Sequence, residues 1–326
     1  MKEDILVSIC CITYNQENYI RDALDSFISQ ETNFKYEILI HDDNSSDKTR
    51  DIIKEYELKY PKLIKPIYQS ENQYSKGKKI TAEYNFPRVN GKYIALCEGD
   101  DYWIDNKKLQ KQVDILDKND DYSLVVHPSV YFDQQTNIKN KKNFLNKDTI
   151  LNIEDFLDEY YNVMPSTLFH TSSLLFRNRD IKKLLNEKID FYFKCKVGDI
   201  PLELYLANQG KIYFINEYMS VYRQNATGSW SLQQQDKNRY LNSLQNIKEM
   251  YNSFNLYTKN RYRDKVNKFI NYIDFYINLN NENYKNIIEN NNQDLFKTLD
   301  LKSRIYIFLQ AYFPQVMQIR KILKEK

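Results

Sequence analysis

The sequence predicts an α/β protein in which a mostly parallel central sheet, flanked by helices, is followed by a helical C-terminal region. Three observations carry that expectation. Over the first 130 residues, short β-rich runs alternate with stretches of helical period, the order of a sheet covered on both faces. Acids stand directly after two of those runs, at Asp42 and Asp43 and at Glu98, Asp100 and Asp101, where an open α/β sheet binds ligands beyond its strand ends. From about Leu232 onward glycine is absent, Pro314 is the sole proline, and helical spacing takes over. The 326 residues, 42% hydrophobic, suffice for a large core. They divide on this reading into a domain over 1–230, with halves of about 1–105 and 106–230, and a helical region over 231–326.

The elements follow in order. Strands are predicted over 5–12, 36–41, 63–68, 93–97 and 123–127, each an apolar, β-rich run. Between the first two, Ile20, Ala23, Leu24, Phe27 and Ile28 recur at helical spacing, and Ile52, Ile53 and Tyr56 do so after the second. That is βαβ order. Residues 133–148, DQQTNIKNKKNFLNKD, are polar and without period, which predicts a mobile loop or an insertion. Structure is expected to resume with a helix over 153–161, a strand over 173–176, a helix over 200–207, and strands over 212–214 and 220–222. In the C-terminal region Leu244, Ile247, Tyr251, Phe269, Tyr272, Ile273 and Tyr276 keep the helical period.

Composition narrows the function classes. A net charge of +3 calls for no nucleic acid, although 231–326 carries 16 Lys+Arg against 9 Asp+Glu, a net +7 that leaves −4 on the rest. Four cysteines, at 10, 11, 97 and 195, show no CxxC spacing, and three lie in apolar runs, the usage of a reduced, cytoplasmic chain. The N-terminus lacks the pattern of a secretory signal, and no stretch reaches about 18 uninterrupted apolar residues. A soluble or peripheral protein is expected. No GxGxxG follows the first strand, where TYNQEN stands, so a dinucleotide-binding oxidoreductase is a poor reading.

The strand-end acids carry the chemistry. Clustered carboxylates raise one another's pKa unless a cation or donor groups intervene, so a hard divalent metal shared with a phosphate-bearing ligand would relieve them. Taken singly, each cluster has a local alternative. Asn44, Ser45, Ser46 and Asp47 suit a turn and helix cap, EGDDYW suits a solvated turn, and Asp199 suits an N-cap with Pro201 behind it.

The succession VSICCITYN (7–15), YEILIHDDNSSDKT (36–49), GKYIALCEGDDYW (91–103) and VGDIPLELYLA (197–207) resembles the family 2 glycosyltransferases of the GT-A fold, a Rossmann-like sheet, of the bacterial surface-polysaccharide type. The match runs from about residue 5 to about residue 230 and leaves out the C-terminal helices. The resemblance implies an inverting, metal-dependent transfer from a nucleotide sugar, most simply a UDP-sugar, to a glycan or lipid-linked glycan. It implies that Thr13, Tyr14 and Asn15 hold the nucleotide base, with Tyr14 stacking on a pyrimidine. It gives Asp42 and Asp43 to base and ribose, without deciding which of them makes the contact. Asp100 and Asp101 match the metal-binding end of the family's DxD motif, with Mn²⁺ or Mg²⁺ on Asp101 and Asp100 also facing the nucleotide. Glu98 stands where that motif has its first Asp, and Asp199 matches the general base. An inactive sugar-nucleotide or glycan-binding subunit and a sugar nucleotidyltransferase are the competing readings, the latter lacking a Gly-rich basic loop for a triphosphate.

On the acceptor side, His170, Ser172, Ser173 and Arg177 are candidates to line a sugar pocket, a hydrogen-bonded structural role being the default for His170, and Arg223 and Trp230 are candidates to close a loop over phosphate or sugar, with a surface turn and a packed Trp as the equal alternative. Trp103 stands where a ring could pack beneath an acceptor sugar, with a core anchor as the default reading. Lys76, Lys78 and Lys79 read as a solvated charge run. The segment 304–326 joins apolar residues to a basic end, which leaves open contact with the inner membrane or packing on its own domain or a partner subunit in a homo-oligomer.

Overall fold

The computed structural model describes residues 4–142, 144–164, 168–226, 236–289 and 293–315. They form two compact units, Met1–Gln235 and Asp236–Lys326.

The first unit is built on parallel strands β1 (Ile5–Thr13), β2 (Lys35–Asp42), β3 (Ile64–Tyr68) and β4 (Tyr93–Leu96). Strands buried on both faces need continuous apolar sequence, and the central part of β1 and all of β4 supply it. Helix α1 (Ile20–Ile28) turns Ile20, Ala23, Leu24 and Phe27 to the sheet, and α2 (Thr49–Lys59) turns Ile52, Ile53 and Tyr56. Leu109, Val113 and Leu116 of α3 (Lys108–Lys118) complete that core.

Further along come β5 (Tyr102–Trp103), β6 (Tyr122–Val126), β7 (Ser129–Asp133), β8 (Ile138–Lys141), β9 (Thr149–Leu151), α4 (Ile153–Val163), β10 (Leu175–Arg177), α5 (Asn178–Glu187), α6 (Asp190–Phe193), α7 (Asp199–Ala207), β11 (Lys211–Phe214) and β12 (Ser220–Gln224). The main sheet has the order β3-β2-β1-β4-β10-β6-β11-β9, with β10 inserted antiparallel between β4 and β6. A second sheet has the order β5-β12-β7-β8. Because β5 follows the acidic turn at 98–101 directly, its pairing with β12 brings a strand from more than a hundred residues away to that turn.

Two expectations are corrected here. Part of 133–148 is not a structureless loop: β8 folds back antiparallel on β7. All four β8 residues are exposed, so no apolar alternation marked the strand. Helix α5, which buries Ile181 and Leu184, was not anticipated. The strand predicted at 173–176 lies at Leu175–Arg177, after a 3₁₀ turn at Thr171–Ser173.

The second unit is helical: α8 (Lys237–Tyr257), α9 (Arg263–Asn280), α10 (Tyr284–Glu289), α11 (Gln293–Thr298) and α12 (Leu301–Tyr312). Asp236 caps α8 by accepting from the Arg239 amide at 2.9 Å. Met250, Tyr251 and Phe254 of α8 are buried, as are Val266, Phe269 and Ile273 of α9, with the Tyr251 and Phe269 rings stacked at 4.8 Å. Among the described residues no helix is long and apolar enough to cross a membrane.

Candidate active site

The site grows from strand ends that the register holds level. Thr13 pairs with Asp42 across β1 and β2, and the amide of Asp43 donates to the Thr13 carbonyl at 3.0 Å. Beyond β4 the chain stays against β1, the Gly99 amide donating to the Ile12 carbonyl at 3.0 Å. A Cβ on Gly99 would stand 2.5 Å from Gln16 Oε1 and 2.8 Å from Thr13 Oγ1, so only glycine lets the acidic turn come this close.

The first loop is tied to the second. Asn15, at φ 52°, donates its amide to Ser45 Oγ at 2.9 Å and accepts the Ser46 amide on Oδ1 at 2.8 Å. Thr13 is buried and donates to Gln16, whereas Tyr14 is exposed, its ring open to a ligand. Asp42 and Asp43 are both buried but have different partners, and Asp42 Oδ1 has none. Asp42 is sealed, accepting from Arg50 Nε at 2.5 Å and the Ser45 amide at 3.2 Å. Asp43 accepts the Gln73 and Tyr74 amides at 2.8 and 2.9 Å and keeps a trace of exposure.

In the acidic turn Glu98 and Asp100 are half-buried and Asp101 is buried. Asp101 Oδ1 accepts the Arg223 amide at 2.9 Å, while Oδ2 is buried without a hydrogen-bond partner. Arg223 reaches back over the turn. Its Nη1 donates to the Asp100 carbonyl at 2.6 Å, its Nη2 pairs with Asp22, and its guanidinium lies 4.5 Å from the Tyr102 ring and 5.2 Å from the Tyr19 ring. Even so, burial dominates and pushes all three acids up, Glu98 to about 8 with Asp100 and Asp199 adding to the effect.

Such a turn fits a divalent cation. A buried carboxylate oxygen lacking a donor, among acids whose pKa values burial and mutual repulsion raise, is a partner set for a hard ion. Among the described residues no three His, Cys, Asp or Glu side chains form a ready cage. The remaining ligands would therefore be phosphate and water oxygens, the usual arrangement for Mg²⁺.

A pH dependence follows. Glu98 titrates higher in the fold than in the unfolded chain, so between the ordinary carboxylate range and about 8 the folded state holds the extra proton. Its contribution to stability is therefore lost as pH rises through that window. Thermal melts across the window should show wild type losing stability relative to Glu98→Gln, and parallel curves would refute the assignment.

Asp199 opens α7 and accepts the Ile200 amide on Oδ1 at 2.8 Å. Burial raises its pKa, with that amide and Lys79 acting the other way. Lys79 is not part of a solvated run. Its Nζ donates to the Val197 carbonyl at 2.7 Å and lies 4.8 Å from the Tyr192 ring, and burial lowers it to about 8. One turn beyond Asp199, Glu203 is fully buried with neither carboxylate oxygen partnered, and its pKa is pushed well up. A lone acid in PLELYLA, four residues after Asp199, was the signal for it.

Tyr222 is the residue that sequence reasoning missed at the centre. After burial, the charges of Asp101, Glu98, Asp100 and Asp199 all raise its hydroxyl pKa.

Other candidates serve the framework. Trp103 is a core anchor, 4.8 Å from the Phe27 ring, with Nε1 donating to the Ser172 carbonyl at 2.9 Å. His170 stacks on Tyr222 at 4.0 Å, and burial drops it to about 3, so it is neutral. Ser173 donates to the His170 carbonyl at 2.7 Å. Arg177 lies at the other end of the sheet, paired in register with Tyr93 at the start of β4. It donates to the carbonyls of Tyr122, Leu116 and Asn119, so it is not a pocket residue. Trp230 lies outside the described residues.

Comparison with known proteins places the chain in a family. The family model "Glycosyl transferase family 2" matches residues 8–185. An uncharacterised protein of Mycobacterium tuberculosis is 34% identical over 244 residues, 72% of this chain, and the match spans 63% of that relative's length. Over 117 residues, 36% of this chain and 43% of the other, it is 35% identical to the UDP-Glc:alpha-D-GlcNAc-diphosphoundecaprenol beta-1,3-glucosyltransferase of Escherichia coli. Among solved structures, TarS 1-349 of S. aureus in complex with UDP-GlcNAc matches with a TM-score of 0.55 at 15% identity, covering 94% of this chain and 81% of that one. The first unit thus has the GT-A fold, and the chain belongs to glycosyl transferase family 2.

Proposed function

We propose that this chain is an inverting glycosyltransferase that moves a sugar from a UDP-sugar to a hydroxyl of a glycan or lipid-linked glycan. The observation that carries the proposal is the acidic turn beyond β4, held against β1 by the Gly99 amide, where Asp101 Oδ2 is buried without a hydrogen-bond partner. The UDP-GlcNAc complex of TarS and the UDP-Glc and diphosphoundecaprenol in the name of the E. coli relative support the donor and acceptor classes.

On this reading Thr13, Asn15 and Asp43 shape the base and ribose end, Tyr14 offers its ring to the pyrimidine, and Asp42 braces the loop through Arg50. Asp101, with Asp100 beside it, is the residue that would hold Mn²⁺ or Mg²⁺. When bound, that ion supplies positive charge against the departing diphosphate. Asp199 takes the proton of the acceptor hydroxyl while the hydroxyl oxygen bonds to the sugar C1 and the C1–O bond to the diphosphate breaks. Attack from the face opposite the diphosphate inverts C1. Much of the acceleration comes from aligning the two substrates. Four buried free thiols fit a reducing, cytoplasmic setting.

Calorimetric titration of UDP, GDP and CDP with Mn²⁺, repeated with excess EDTA and on Asp101→Ala, tests the donor site. UDP binding that needs both the cation and Asp101 is the expected result. Metal-independent indifference to all three nucleotides, or no release of free UDP from any UDP-sugar, would point to a non-catalytic binding role instead.

A further inference from the structure

Helix α12 leaves an apolar stripe uncovered. At about 100° per residue, Leu301, Ile305, Phe308 and Tyr312 fall within an arc of about 60°. They are 63%, 50%, 46% and 39% exposed. The helix is anchored on another side by Ile307, which is 2% exposed and packs with Phe275 and Ile287. A surface helix of a water-exposed domain normally turns such a stripe inward.

The charges beside the stripe identify what covers it. Lys302 and Arg304 flank it, about 90° to one side and about 70° to the other. Lys302 is exposed; Arg304 is half-buried, with its Nε buried and without a hydrogen-bond partner. Among the described residues two acids contact the helix at its ends, away from the middle of the stripe: Asp300 caps it by accepting the Ser303 amide at 3.0 Å, and Glu289 accepts from the Tyr312 hydroxyl at 3.1 Å. Beyond the helix the sequence adds Arg320, Lys321, Lys324 and Lys326 against Glu325. Long basic side chains on either side of an apolar stripe suit a helix lying in a headgroup layer, with the stripe dipping toward acyl chains and the cations in the headgroups. A second copy packed face to face about a two-fold axis would instead set Lys302 and Arg304 against their own kind.

We propose that the α12 face seats this protein on a membrane surface containing anionic lipid. The inference goes beyond the transfer reaction and does not depend on it, since binding is measured with no donor or acceptor present.

The test is cosedimentation of the full chain with phosphatidylglycerol–phosphatidylcholine vesicles and with pure phosphatidylcholine vesicles. Wild type is expected to pellet with the anionic vesicles and to be released by salt. The Ile305→Glu, Phe308→Glu double variant should lose binding about tenfold or more, because two charges would enter the apolar layer. Lys302→Gln with Arg304→Gln should lose binding by about tenfold. Leu301→Ser, at the exposed helix start, serves if the double variant fails to fold. No binding by wild type, or unchanged binding by the folded stripe variants, would overturn the proposal. So would light scattering that shows a dimer split by Ile305→Glu, Phe308→Glu in a protein that ignores vesicles.

Discussion

Asp199→Asn is expected to lower sugar transfer by about a thousandfold, within the range for loss of a positioned general base, and to leave UDP affinity within about twofold. Asn keeps the shape of the side chain and can still accept the Ile200 amide that Asp199 Oδ1 accepts at 2.8 Å, so the start of α7 should survive. What it loses is the ability to take a proton. Asp199 is separate from the loops that shape the base end, so nucleotide titration is the internal control. Normal turnover in the Asn variant would remove Asp199 from the mechanism, and equal loss of UDP binding would make it a nucleotide contact.

Arg223→Met is the second large effect, and it follows from tertiary contacts alone. The guanidinium reduces the pKa rise of both Asp100 and Asp101. It also joins the turn to Asp22 on α1. Removing one member of a buried charge cluster leaves the others uncompensated, so a stability loss of about 2–4 kcal/mol is expected. Asp22 is half-exposed, which places that end of the cluster at the weaker limit. Cation-dependent UDP binding should weaken by about tenfold, because the acids then hold their protons more tightly. Arg223→Lys should restore little, since only a planar fork reaches Asp100 and Asp22 while lying between Tyr102 and Tyr19. Unchanged melting and unchanged binding would refute this bracing role.

These two residues mark how differently the site is encoded. Asp199 is legible because its surroundings are local: an acid at the mouth of an apolar helix stretch, in the right order after two strand-end acid clusters. Arg223 looked like a loop charge for phosphate because nothing near it in sequence names its partners, which lie 123 and 201 positions away. Trp103 takes the default reading of a core anchor, packed on Phe27, whereas Arg177 is misread for the same reason as Arg223: a basic residue after a strand looks functional until the fold shows it holding three carbonyls at the far end of the sheet.

By itself the sequence determined the strands β1 to β4 and β6, helices α1, α2, α4 and α7 to within a few residues, the acids at the strand ends, and Asp199 at a helix start. Hydrophobic period and turn-forming residues act over a few positions, so neighbouring residues suffice to specify them. Only the tertiary structure decided which of those residues meet. The pairing of β5 with β12 carries Tyr222 and Arg223 onto the acidic turn, Arg50 and the Ser45 amide hold Asp42 in place, and pairing with β7 makes an exposed strand of β8. Strand pairing and burial are set by segments far apart in the chain, and no local pattern records them.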